Sequence, residues 1–188
     1  MDAETVERRA LARFAVLAAY ANPEWGINDL CRRRKMPPWA KFLRRLRNSN
    51  SPTRALLQRL SRLLEAPEAY WLADDASAAA MALEAPTSLP KCDDVTPSAL
   101  AHVAYLGAVY NGYMGSRLSL VRGRIGDDGR AVDNRARSWW ATMKLNSPQL
   151  ATLQFGSEVF GLDLGYWGNT DTMTAFRAAI QAAPVEGR

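Results

Sequence analysis

The sequence predicts an all-α chain built as two tandem five-helix domains, and three observations carry that prediction. Apolar residues recur at helical spacing, and no segment shows convincing period-two alternation. The breaks between these stretches are short and rich in Pro and Asn, as at Asn22-Pro23 and Pro37-Pro38. The chain also repeats itself. Asn50-Ser51-Pro52 and Tyr70-Trp71 return 96 residues later as Asn146-Ser147-Pro148 and Tyr166-Trp167, with Leu57/Leu153, Ser61/Ser157 and Asp75/Asp171 in the same register. Upstream, Ala10-Leu11-Ala12 matches Ala99-Leu100-Ala101 at a shift of 89. The change of shift places about seven extra residues in the second copy, at Gly126-Asp127-Asp128-Gly129-Arg130.

The elements follow in order. Glu4 to Ala21 places Leu11, Phe14, Ala15 and Ala18 on one face and stops at Asn22-Pro23. Ile27 to Lys35 is a short helix with Leu30 and Cys31 inward. Pro38 suits the first turn of a third helix that runs to Arg47 and breaks at Asn48-Ser49-Asn50. Thr53 to Leu64 forms a leucine-rich fourth helix, and Tyr70-Trp71-Leu72 sits on a short fifth. Residues 76–95 read as a linker between a domain at 1–75 and one at 96–188, with a short helix possible at Ala78–Glu84. The second copy predicts helices at Ala99–Asn111, Ser116–Arg124, Asn134–Lys144, Pro148–Phe160 and Asp163–Trp167. A final stretch, Thr172 to Ala182, has no counterpart in the first copy on this reading.

Charge is distributed unevenly. Residues 1–75 hold 14 Lys/Arg against 9 Asp/Glu, whereas residues 76–188 hold 10 of each. Leu30 to Leu64 contains 11 basic residues and no acid. A charge run is usually a solvated face. Mutual repulsion along an acid-free run of this length, however, costs stability that a polyanionic partner offsets. The third helix concentrates the effect. Trp39, Leu43 and Leu46, widened by Phe42, make an apolar stripe, while Lys41, Arg44, Arg45 and Asn48 fall at i, i+3, i+4 and i+7 on other faces. Such a helix packs aromatics inward and offers cations outward, as a helix in a DNA major groove must. The alternative is an ordinary amphipathic surface helix.

From Ile27 to Asp75 the sequence resembles the Cro/repressor-like (XRE-type) helix-turn-helix DNA-binding family. Arg47-Asn48-Ser49-Asn50-Ser51-Pro52-Thr53 is similar to that family's Arg-Gly-x-x-x-Pro-Ser/Thr loop. The run Leu56-Leu57-x-x-Leu60-x-x-Leu63-Leu64 through Tyr70-Trp71-Leu72 is similar to its closing segment, and more loosely to the EspR-type nucleoid regulators. The family's Leu-Ala-x-x-x-Gly-Val-Ser run stands here as Leu30-Cys31-Arg32-Arg33-Arg34-Lys35-Met36-Pro37, with no Gly at the turn. The resemblance implies two lambda-repressor-like domains and a sequence-specific, double-stranded DNA-binding transcriptional regulator of prokaryotic or phage type. Lys41, Arg44, Arg45 and Asn48 would face the bases. Arg32, Arg33, Arg34, Lys35 and Arg47 would mostly serve phosphates, which set register and salt sensitivity. Arg54, Arg59 and Arg62 beyond would serve phosphates too, and Arg59 and Arg62 are the two that a simply solvated reading suits best.

In the second copy Arg135, Arg137 and Lys144 are the candidate DNA contacts, with Arg117 and Arg122 ahead of them, while Trp139 and Trp140 read as core. Residues 96–188 also suit a homodimer or protein contact. The competing function is a non-enzymatic protein-interaction module, antitoxin-like or anti-activator in type. One histidine, His102, and two separated cysteines, Cys31 and Cys92, give no metal, cofactor or catalytic set, so no enzyme is expected. No run of 18 apolar residues and no leader is visible, which points to a cytoplasmic, nucleoid-associated protein without a membrane partner.

Overall fold

Helix starts follow side-chain caps placed by the sequence. Asp2, Thr53, Asp74, Thr96 and Asp171 each accept a hydrogen bond from the backbone N–H three residues on, at 2.7, 3.3, 2.9, 3.1 and 2.9 Å. The computed structural model describes residues 2–48, 51–125, 130–145 and 147–182, leaving out the side chains of 124, 125 and 130–133. Part of the repeated loop (Ser49, Asn50 and Asn146) and most of the predicted insertion, residues 126–129, therefore lie outside the described residues.

All regular structure among the described residues is helical. The chain divides at Pro90/Lys91 into two units. The first holds α1 (Ala3–Ala21), α2 (Ile27–Arg33), α3 (Trp39–Arg47), α4 (Arg54–Leu64), α5 (Glu68–Leu72) and α6 (Asp75–Ala82). The second holds α7 (Pro97–Tyr110), α8 (Arg117–Ile125), α9 (Arg130–Thr142), α10 (Leu150–Phe160), a 3-10 helix (Leu164–Gly168) and α11 (Thr172–Gln181). In the first unit the sequence predicts five helices and the described residues form six; in the second it predicts five and a C-terminal helix, and six are described. The extra helix of the first unit, α6, lies in the segment read as a linker and packs on α1 and α5.

That helix also corrects the reading of the chain's final segment. Asp74 caps α6 through the N–H and hydroxyl of Ser77, and Asp171 caps α11 through the N–H and hydroxyl of Thr174. α11 is the counterpart of α6, displaced by one residue from the register of the Tyr-Trp repeat. Its sequence is too different for identity matching to find it. The third helix of the second unit also differs from expectation: α9 begins at Arg130 and ends at Thr142, against a predicted Asn134–Lys144.

α1 is the central helix of the first unit and touches α3, α4 and α6. It buries Val6, Ala10, Phe14 and Leu17 against Trp39, Phe42 and Leu46 of α3 and the inward leucines of α4. Each of the Val, Leu and Phe side chains contributes about 1.5–3 kcal/mol by leaving water. Two of its arginines serve the backbone. Arg13, buried to 2% exposure, donates to the carbonyls of Leu64, Glu65, Ala82 and Glu84. These are C-terminal carbonyls of α4 and α6 that have no partner within their helices. Burial pulls the Arg13 guanidinium below its ordinary range, with Glu65 opposing. Arg9 donates to Tyr70, Trp71 and Ala73 carbonyls at 3.0, 2.9 and 2.8 Å. Part of the cationic excess of the first half is therefore internal framework.

The repeat is a repeat of bonds. Trp71 Nε1 donates to Ser61 Oγ at 2.7 Å, and Trp167 Nε1 to Ser157 Oγ at 2.9 Å. The Tyr70 and Tyr166 hydroxyls each donate to a carbonyl of the first helix of their unit, Arg9 and Leu100. α4 and α10 both close on a left-handed residue 96 positions apart, Glu65 at φ 49° and Gly161 at φ 66°.

Candidate nucleic-acid interface

The side chains predicted to face DNA begin with the turn into α3. Lys35 takes φ 53°, a left-handed conformation, and the Met36 N–H returns to the Cys31 carbonyl at 2.8 Å. Lys35 is the sixth residue of the run from Leu30, where the resembled pattern has its glycine. The turn keeps its geometry with a lysine in that position. Asn28 Oδ1 then accepts the Trp39 N–H at 2.9 Å and ties the start of α3 to α2.

α3 buries Trp39, Phe42 and Leu46, half-buries Leu43, and leaves Lys41, Arg44, Arg45, Arg47 and Asn48 exposed. Its C-terminal end and the first turns of α4 enclose an open groove of about 420 Å³ lined by Arg44, Arg45, Asn48, Thr53 and Arg59, with Ala55 and Leu56 between them. Ala55 and Leu56 belong to the first turn of α4, so the positive end of that helix dipole opens on the same groove. Lys35, Lys41, Arg44 and Arg59 form no ion pair among the described residues. Arg59, read in sequence either as a phosphate contact or as a solvated side chain, joins the groove. Its role depends on the approach of α3 to α4, which helical spacing within α4 does not encode.

The other predicted phosphate contacts divide. Arg32, largely in solvent, pairs with a half-buried Asp29 at 2.8 Å. Arg33 lies 4.2 Å from the centre of the Trp25 ring, a cation–π contact. Arg47 reaches Glu7 at 3.4 Å. Arg34 turns inward to bond Glu65 and Ser88 and is spent on the scaffold. Burial alone would raise the Glu65 carboxyl. Hydrogen bonds from Ser88, Arg34 and the Thr87 N–H outweigh it and hold that group at about 2.

The second unit repeats the framework and not this groove. Ala136, Trp139, Trp140 and Met143 form the buried face of α9, so both tryptophans are core. Arg135 and Arg137 are exposed but two residues apart, on different faces of the helix, and Lys144 follows the helix end. Arg117 bonds His102 Nε2 and lies 5.3 Å from the Trp140 ring centre, while His102 Nδ1 faces the Ser98 carbonyl at 2.8 Å. His102 is thus a buried framework residue, and Arg122 is half-buried. A second cavity, about 390 Å³ between the 3-10 helix and α11, has Asp163 as the one charged side chain of its lining.

Cys31 is buried, and burial raises its thiol above the ordinary range. No group of three or more His, Cys, Asp or Glu side chains converges to hold a metal among the described residues. No helix among them is long and apolar enough to cross a membrane. Comparisons with protein-family models, with curated proteins and with solved structures each return no match.

Proposed function

We propose that the first unit binds double-stranded DNA through α3 and the start of α4, and that the chain is a sequence-specific transcriptional regulator of prokaryotic or phage type. The observation that supports this reading is the α3–α4 groove. Three arginines, an asparagine and a helix N-terminus converge there, within a stretch from Leu30 to Leu64 that contains no acid. A polyanion matches this surface in sign, and the guanidinium forks match guanine edges and phosphate oxygens in geometry. Arg44, Arg45 and Asn48 would read bases, with Lys41, Arg59 and the α4 N-terminus on phosphates. The two tandem units are helix-turn-helix-like in this proposal, with the turn retained in the first. Between the pairs Leu30/Leu120 and Trp39/Ala136 the second unit carries seven more residues than the first, and its α8 and α9 are longer than α2 and α3.

A fluorescence titration of the full chain on duplexes from its own genomic neighbourhood tests the proposal. Binding that weakens steeply as salt rises from about 50 mM supports it, since each phosphate contact releases counterions. No binding at that salt, or binding indifferent to salt, would sink it.

A further inference from the structure

The groove of the first unit has an answer in the second, and its chemistry is inverted. The buried face of α3, at Trp39, Phe42 and Leu46, falls on Ala136, Trp139 and Met143 of α9, a shift of 97. α4 falls on α10 at a shift of 96, residue for residue from end to end. In that register Arg44, Arg45, Asn48 and Arg59 are answered by Ala141, Thr142, Leu145 and Phe155. Arg54 and Glu68, joined at 3.6 Å across α4 and α5, are answered by Leu150 and Leu164. A polar, cationic surface has become an apolar one. Leu145 and Leu150 are each 58% exposed and Leu164 is 42% exposed. Leucines left in water on one face mark a contact surface when they cluster.

We infer that this face, formed by the end of α9, the start of α10 and the 3-10 helix, is a self-association surface that takes a second copy of the chain. Charge at its edges selects that occupant. Lys144 adjoins Leu145, is exposed, and forms no ion pair among the described residues. Asp163 adjoins Leu164, is exposed, and its carboxylate caps no backbone N–H. The first and last of these leucines along the chain are therefore flanked in sequence by a cation and an anion. A two-fold axis through the patch sets Lys144 of each copy against Asp163 of the other while the leucines meet at the centre, the self-complementary pattern of an isologous dimer. This inference is independent of DNA binding by the first unit and is tested without DNA.

Sedimentation velocity of the full 20.8 kDa chain, from about 1 to about 100 μM, reads it directly. The expected result is a concentration-dependent species of twice the monomer mass. Leu150→Asp with Leu164→Asp abolishes it. Lys144→Glu and Asp163→Lys each weaken it by about tenfold or more, and the two together restore it. Leu72→Asp, at a side chain 76% exposed in the first unit, leaves it unchanged. Circular dichroism identifies any variant that fails to fold. The charge pair alters no buried group and keeps the test open if the leucine variants do not fold. A chain monomeric throughout overturns the inference, even if another protein occupies the face. So does a dimer that folded leucine variants leave intact, or a paired charge reversal that fails to restore association.

Discussion

Trp71 and Ser61 form one strut, an indole N–H on a hydroxyl at 2.7 Å, and Trp167 and Ser157 form the same strut 96 residues later at 2.9 Å. Trp71 is fully buried, whereas Trp167 keeps partial access to water. The same deletion therefore has different costs. Ser61→Ala leaves a buried N–H without a partner and lowers stability by about 1–3 kcal/mol, whereas water replaces much of the bond lost in Ser157→Ala. Urea unfolding followed by tryptophan fluorescence should rank Ser61→Ala as the more damaging change. Equal losses would show that the strut matters through packing alone.

Glu65 gives the first unit a defined acid limit. Its folded carboxyl titrates at about 2 against an ordinary value of 4.5. A depressed carboxyl contributes stability that is complete above its unfolded range and lost as the pH falls toward the folded value. The window is therefore about pH 4.5 down to about pH 2. Glu65→Gln should flatten that part of the pH–stability curve. A variant that keeps the wild-type acid slope would remove Glu65 from the account.

Arg34 and Arg44 separate scaffold from interface. Arg34→Ala strips Glu65 of a buried partner and should lower the melting temperature. Arg44→Ala should leave the melt in place, and Arg44→Ala or Arg45→Ala should weaken specific DNA binding by about 1–3 kcal/mol. Arg59→Ala should weaken binding to all sequences alike and flatten the salt slope. The reverse pattern in paired melting and titration experiments would relocate the contact surface.

Gly107 sets the distance between α7 and α11. A Cβ at this position would stand 2.6 Å from the Ala179 Cβ and 2.9 Å from its carbonyl carbon. Part of that obstruction is backbone, so α11 itself must move. Gly107→Ala should cost about 1–3 kcal/mol in thermal or denaturant unfolding, and a neutral result would mean α11 slides easily on α7.

The sequence reveals helices better than it reveals their mutual approach. Helical spacing and the Asn and Pro breaks locate α1 to α5 closely because the stripe that makes each helix amphipathic also buries it. The Leu57, Ser61 and Tyr70-Trp71 repeats locate α10 and the 3-10 helix for the same reason. α6 is only partly legible, as a possible short helix at Ala78–Glu84, because Asp75 to Ala82 is largely alanine, which forms helix without showing a face. At the site, exposure of Lys41, Arg44, Arg45 and Asn48 is legible because the α3 stripe fixes which residues point outward. The inward turn of Arg34 and the entry of Arg59 are not legible. Both depend on elements distant in sequence, the Ser88 segment and the α3–α4 approach.

The repeated struts all lie on the inside of their units, and the surface that distinguishes the units lies entirely outside them. The Arg44 and Arg59 side chains enter no ion pair among the described residues, and Ala141 and Phe155 stand in their places in the second unit. The scaffold is thus indifferent to what its outer face displays. Specificity can be exchanged between the halves, or rewritten in one of them, without renegotiating the fold.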